Sequence, residues 1–254
     1  MLRSFCDGTV FADRVGADRP SVVALHGWAR DRSDLVACVA GYDALSVDLP
    51  GCGASPPPTE AWGAAGYATL VSRVIAEATD EPVVVVGHSF GGRVATCLAA
   101  AHPEQVAGLL LTGVPLLRPD DTGGRSPKPP AGYRLVKRLH GWHLVSDERL
   151  EQAKRTHGSA DYRNATGVMR DVLVRLVNET YADELTQLAG PVELVWGDQD
   201  TAAPLSVATR AQALIEQSGA EVRLTVVAGD HFAPIRHPEA LRAGLDRLLL
   251  EHSR

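Results

Sequence analysis

The chain has 254 residues, 45% of them hydrophobic and 22% charged, which suffices for one large or two small domains with a core and excludes a disordered tail or a disulfide-stapled miniprotein. Its net charge of −6 leaves no broad basic face for phosphates or anionic headgroups, so neither nucleic acid nor a membrane is expected as a partner.

Taken in chain order, Leu2–Asp13 with Asp7-Gly8 at its centre reads as a hairpin. Short β-branched or apolar runs follow at Ser21–Leu25, Ala44–Asp48, Pro82–Gly87, Val106–Thr112, Pro191–Trp196 and Val222–Val227, each a candidate strand. Helical periodicity falls between them at Thr59–Ala78, Ser89–Ala101, Leu205–Gln217 and Pro238–His252. This alternation predicts an α/β fold, a mainly parallel sheet with helices on both faces.

Gly113 to Ala189 breaks the alternation. A Pro- and Gly-rich run at Pro119–Gly132 leads into helical stretches such as Arg134–His140, Glu148–Thr156 and Ala165–Asn178, so 113–189 is expected to be a helical cap inserted between core segments 1–112 and 190–254. The cap carries 12 Lys and Arg against 10 Asp and Glu, where the rest carries 13 against 21. Arginines such as Arg118, Arg125, Arg134 and Arg138 therefore motivate an expected preference for substrates with a negative charge away from the reacting carbonyl.

The four cysteines, Cys6, Cys38, Cys52 and Cys97, show neither paired nor zinc-ligand spacing and are expected to be free thiols. With no signal-peptide pattern and no apolar run near the ~20 residues that span a bilayer, the expected location is cytoplasmic. No metal and no cofactor is expected.

The sharpest local pattern is Gly87-His88-Ser89-Phe90-Gly91-Gly92, where an apolar run meets a helical one. A nucleophile on a tight strand-to-helix turn needs small neighbours two residues away, and the helix N-terminus favours developing negative charge, so Ser89 is the candidate nucleophile. The plain alternative is a Gly-rich turn with an N-cap serine. Serine needs a base, and His231, just beyond the run Val222–Val227, has the best position of the nine histidines; His237 reads as an exposed helix-start residue, and His140, His143 and His157 as cap residues. Asp198 and Asp200 follow the run ending at Trp196. Asp200 lies deeper in that loop and is the candidate to orient His231, leaving Asp198 as a turn residue. Asp230 is a further carboxylate able to raise the basicity of His231. His26-Gly27-Trp28 suits an oxyanion loop, with the Trp28 and Phe90 amides as donors, and Asp48–Ser55 is assigned a structural turn.

With LHGW at Leu25–Trp28, DLPGCGAS at Asp48–Ser55, GHSFGG at Gly87–Gly92, WGDQD at Trp196–Asp200 and GDHF at Gly229–Phe232, the chain resembles the α/β-hydrolase superfamily, in particular its small members with a helical cap. The resemblance covers all but the cap and implies Ser89, Asp200 and His231 as a catalytic triad. It implies a serine hydrolase acting on a small-molecule carboxylic ester. The alternatives are a thioesterase or acyltransferase using the same acyl-enzyme, and a non-catalytic ligand receptor on the same fold. Ser89, in place of an aspartate nucleophile, argues against dehalogenase and epoxide hydrolase chemistry, and the oxyanion segment is less Gly-rich than is usual for carbon–carbon bond hydrolases.

Overall fold

A computed structural model describes residues 1–16, 19–118 and 160–252, with positions 145, 146, 149 and 156 between them. Eight strands form one sheet in the order β1-β2-β4-β3-β5-β6-β7-β8. They are β1 (Leu2–Phe5), β2 (Val10–Val15), β3 (Val22–Leu25), β4 (Ala44–Asp48), β5 (Val83–His88), β6 (Val106–Thr112), β7 (Val192–Gly197) and β8 (Val222–Val227). β1 and β2 pair as an antiparallel hairpin, β2 runs antiparallel to β4, and every other pairing is parallel.

The strand sequences explain why the sheet is covered on both faces. Val83 and Val85 of β5 join one apolar cluster while Val84 and Val86 join another, and β6 divides Leu109 and Leu111 from Leu110 in the same way. Side chains alternate across a strand, so a run apolar at every position needs a partner layer on each side. α2 (Ala64–Ala78), α3 (Phe90–Ala101) and, from the later helices, Leu205–Ser218 supply the first layer; α1 (Val36–Val39) and Glu239–His252 supply the second. Among the described residues, no helix is long and apolar enough to cross a membrane. The four cysteines are buried free thiols.

Between β6 and β7 the described residues include α4 (Ala160–Asn164), α5 (Gly167–Leu176) and α6 (Ala182–Leu185); α7 is Leu205–Ser218, α8 Ala233–Arg236 and α9 Glu239–His252. The expected stretches Arg134–His140 and Glu148–Thr156, with His140, His143, His157, Arg125, Arg134 and Arg138, lie outside the described residues apart from Arg149 and Thr156. Two helices differ from expectation. The periodic run from Thr59 becomes helical only at Ala64, because its first amide finds an acceptor there in Glu179 Oε2 of the inserted stretch, at 3.1 Å, while a Cβ on Gly63 would collide with that side chain. The stretch from Ala165 to Asn178 shortens to α5, entered through Gly167 at φ +52° and closed by Asn178 Nδ2 donating to the Val174 carbonyl at 2.6 Å.

The turn after β4 is held by one carboxylate. Asp48, fully buried, accepts from the Arg32 amide at 2.7 Å, from Arg32 Nη1 at 2.5 Å and from the Ala54 amide at 2.8 Å. A Cβ on Gly53, at φ +53°, would lie 2.2 Å from that carboxyl group. Asp48→Ala removes the acceptor of the Arg32 and Ala54 amides in a half-buried turn, while Arg32 keeps its bond to Asp13 Oδ2 at 2.8 Å, so the variant is expected to lower unfolding stability by about 2 kcal/mol, read as a lower denaturant midpoint at constant slope. An unchanged midpoint would contradict this account of the turn.

Candidate active site

β5 ends at His88 and α3 begins at Phe90, so the backbone must reverse within a single residue, and Ser89 takes φ 49°, ψ −108°. That region is strained for a residue with a side chain. The reversal brings flanking backbone into contact: a Cβ on Gly87 would lie 2.5 Å from Gly92 Cα, one on Gly91 2.2 Å from the Leu25 carbonyl oxygen, and one on Gly92 2.1 Å from Val114 Cγ2. The Ser89 amide donates to the Thr112 carbonyl at 3.0 Å and the Gly91 amide to the His26 carbonyl at 3.0 Å, tying the turn to the ends of β6 and β3.

His231 and Asp200 meet beside this turn. Asp200 Oδ2 lies 2.8 Å from His231 Nδ1, and Asp200 Oδ1 accepts from the Ala202 and Ala203 amides at 2.8 Å each. The carboxylate side chain is fully buried and the imidazole 15% exposed, which leaves the ring open on one side only. Gly113 makes the approach possible: a Cβ there would lie 2.9 Å from His231 Cε1 and 3.3 Å from Asp200 Oδ2. Asp198 instead accepts from the Gly229 amide at 2.8 Å and braces the turn before His231. Asp230 bonds elsewhere than the imidazole, accepting from the Phe232 amide at 3.0 Å and Arg236 Nη2 at 2.6 Å, and these bonds hold its carboxyl below the usual range.

Ser89, Phe90, His231 and Trp28 line a cavity of about 620 Å³, together with Leu173 and Val177 from the stretch between β6 and β7. Ser89 Oγ makes no hydrogen bond to His231 among the described residues, and such catalytic bonds often tighten only with substrate present. The Trp28 and Phe90 amides likewise bond no other protein group among the described residues, leaving two N–H donors beside the serine. Their rings pack edge to face, with centroids 5.5 Å apart. His26 fixes this loop from behind: Nδ1 lies 2.8 Å from the Gly27 carbonyl and Nε2 accepts from the Leu49 amide at 3.0 Å. Burial pushes the His26 pKa down, consistent with a neutral ring in that role.

Of the arginines expected from the cap, Arg125, Arg134 and Arg138 lie outside the described residues and only Arg118 can be placed. Arg118 donates to the Asn178 carbonyl and is not among the lining residues; the lining cations are Arg30 and Arg93. Arg93 Nη1 donates to the Leu176 carbonyl, and its guanidinium lies 5.9 Å from the Tyr181 ring, tying α3 to the inserted stretch. Sequence reasoning also passed over Gly113 and the pair Asp34 and His88, because a glycine after a strand and a histidine inside a serine motif carry no signal of their own. Among the described residues no three His, Cys, Asp or Glu side chains converge as metal ligands.

A family model described as the alpha/beta hydrolase family matches residues 22–243. The chain belongs to the alpha/beta hydrolase family. Among curated relatives, this alpha/beta hydrolase is 29% identical over 235 residues to a 2-hydroxy-6-oxononadienedioate/2-hydroxy-6-oxononatrienedioate hydrolase of Cupriavidus pinatubonensis, an alignment covering 79% of this chain and 78% of the relative. It is 29% identical over 239 residues to the pimeloyl-[acyl-carrier protein] methyl ester esterase of Yersinia pseudotuberculosis, covering 85% of this chain and 88% of that one. Among solved structures, one of a putative aryl esterase from Burkholderia cenocepacia superposes with a TM-score of 0.72 at 21% identity, over 100% of this chain and 99% of that one, a likeness of fold. The relatives are hydrolases, and hydrolysis is the activity this chain's family membership supports.

Among the described residues Asp200 is the carboxylate bonded to the imidazole, so Asp200→Asn is expected to cut turnover by a factor on the order of 10⁴, the size of the loss in the serine-protease template. Asp198→Asn should cost far less, since its bond is to a backbone amide. Steady-state kinetics of the two variants on one ester checks this, and the reverse ranking would refute the geometry.

Proposed function

We propose that the chain is a serine hydrolase that cleaves a carboxylic ester of a small or medium-sized substrate through an acyl-enzyme. The observation that carries this reading is the strained Ser89 turn opening on the same cavity as the His231–Asp200 pair, 2.8 Å between Nδ1 and Oδ2. Ser89 Oγ attacks the carbonyl carbon and its proton passes to His231 Nε2, while Asp200 keeps Nδ1 protonated and stabilises the imidazolium. The carbonyl oxygen, now negative, accepts from the Trp28 and Phe90 amides. Collapse breaks the bond to the leaving alcohol, which takes the proton from His231. Water then repeats the sequence on the acyl-serine, releasing the acid and returning the proton to Ser89.

Residues 113–189 act in this reading as a cap that shapes the acyl pocket. Pro115, Asp161, Leu173, Leu176 and Val177 line the cavity facing Ser89, and Glu179 and Arg93 latch the inserted stretch to the body. The apolar share of that lining, with Trp28, Phe90 and Phe232, suits an acyl group of hydrocarbon character. A thioester of a carrier-bound acyl group would use the same steps with a thiol leaving group. The relatives named for 2-hydroxy-6-oxononadienedioate add one competing substrate, an enol-ketone with no ester bond to break.

A fluorophosphonate is expected to modify Ser89 alone, because among the described residues that hydroxyl is the one sharing a cavity with the base and both amides. Peptide mapping of the adduct checks the assignment, and labelling of Ser55 or another serine sinks it. A panel of p-nitrophenyl esters, one acyl thioester and one 2-hydroxy-6-oxo dienoate ranks the substrates by kcat/KM. The ester should lead.

A further inference from the structure

A second histidine–carboxylate pair lies directly behind the first. Asp34 follows β3 by nine residues, and its side chain is completely buried. Oδ2 accepts from the Gly27 amide at 3.3 Å and lies 3.1 Å from His88 Nδ1; Oδ1 accepts from Arg30 Nε at 2.6 Å. Burial works to raise the pKa of this carboxyl, but the bonds from His88 and Arg30 hold it down at about 2. An ionised carboxylate only accepts, so His88 must carry its hydrogen on Nδ1. Burial pushes the His88 pKa down and so favours the neutral ring, in which Nε2 is a lone pair, buried and, among the described residues, without a hydrogen-bond partner.

The His88 ring is 1% exposed, and its centroid lies 4.9 Å from that of His231 with the planes tilted by 47°. Phe232 packs on it at 5.4 Å, and a Cβ on Gly27 would come within 2.7 Å of its Nδ1. So the side of His231 away from the solvent opening rests on His88, and the loop bearing the Trp28 amide rests on both His88 and Asp34.

We propose that Asp34 and His88 are positioning residues of the hydrolytic reaction: one buried carboxylate fixes the oxyanion loop through the Gly27 amide and, through the His88 ring, the surface against which His231 stands. The proposal rests on the reading that Ser89 and His231 carry that reaction. Its chemical logic concerns charge as well as shape. His231 becomes a cation when it takes the serine proton, and a neutral ring beside it tolerates that charge where a protonated one would repel it. The charged and titratable groups facing His88 are Asp34 and Arg30 from the loop after β3 and His231 from the loop after β8. Burial is the largest influence on His88 and pushes its pKa down; the Asp34 bond opposes this, and His231 and Arg30 reinforce it. The base is thus flanked by a ring that stays neutral while His231 itself takes up and gives back a proton.

The test uses the full chain and two substitutions, with the rate of Ser89 phosphonylation by a fluorophosphonate and kcat and KM on one p-nitrophenyl ester, all per titrated active site so that misfolded protein is not counted. His88→Leu keeps the apolar bulk but loses both the bond to Asp34 and the aromatic face. It should slow both reactions by about 10²-fold with KM little changed, as expected when reacting groups are displaced by an ångström or so. His88→Asn places an amide N–H where Nδ1 was, so the oxyanion loop keeps its anchor while the base loses its backing, and part of the lost rate should return. Wild-type rates in both variants would overturn the proposal, as would a change confined to KM. If His88→Leu does not fold, histidine ¹⁵N spectra of the wild-type chain decide: His88 should remain the neutral Nδ1–H form from about pH 5 to 8, and a protonated His88 in that range would overturn the proposal. A wild-type chain that takes no label at Ser89 would instead overturn the serine hydrolase reading, and this proposal with it.

Discussion

Ser89 occupies a backbone conformation that costs an L-residue of order 1–3 kcal/mol, and much of the surrounding sequence serves to hold it there. Parallel strands β3, β5 and β6 end side by side, so their carbonyl ends give the turn its anchors at His26 and Thr112. Glycines stand wherever two backbones meet around it, at 87, 91 and 92. The side chain so presented points where neither strand nor helix bonds can occupy it. A hydroxyl on an ordinary helix would be covered by the next turn.

The same constraint organises the rest of the site. Because the central strands are apolar on both faces, helices cover both sides of the sheet's middle and leave the carboxyl ends of the strands as the place where loops converge. Asp200 comes from the end of β7 and His231 from the end of β8, adjacent strands, so a carboxylate and an imidazole 31 residues apart in sequence meet at 2.8 Å. Gly113, the residue after β6, leaves room for that pair where a side chain would collide with both. Pro115, Asp161, Leu173, Leu176 and Val177 of the inserted stretch line the same cavity. The attachment of that stretch through Glu179 to the start of α2 couples the pocket wall to the body of the fold.

What the sequence revealed depended on whether a signal was local. Each parallel strand was legible to within a residue or two, because a short run dominated by β-branched and apolar residues is bounded by Gly, Pro or charge. That Ser89 and Phe90 would lie beside Trp28 and His231 was legible because each of the two motifs involved is contiguous and because His231, like its partner Asp200, closely follows a strand. The start of α2 was not, since the cap on its first amide is Glu179, more than a hundred residues away. Nor was the Asp34–His88 pair, whose members are 54 residues apart and are joined only by the parallel pairing of β3 with β5. Asp230 is the converse case: it adjoins His231 in sequence and lines the same cavity, but its hydrogen bonds go to the Phe232 amide and Arg236.

The central claim is that one strained serine, one oriented histidine and two backbone amides act on the same carbonyl. A crystal structure of the chain carrying a phosphonyl group on Ser89 tests it most directly, since the phosphonyl oxygen stands in for the oxygen of the tetrahedral intermediate. The account predicts that oxygen at about 2.7–3.1 Å from both the Trp28 and Phe90 nitrogens, with His231 Nε2 within hydrogen-bond reach of the Ser89 oxygen or the leaving-group position. An oxygen directed to solvent, or bound by a different pair of donors, would contradict it.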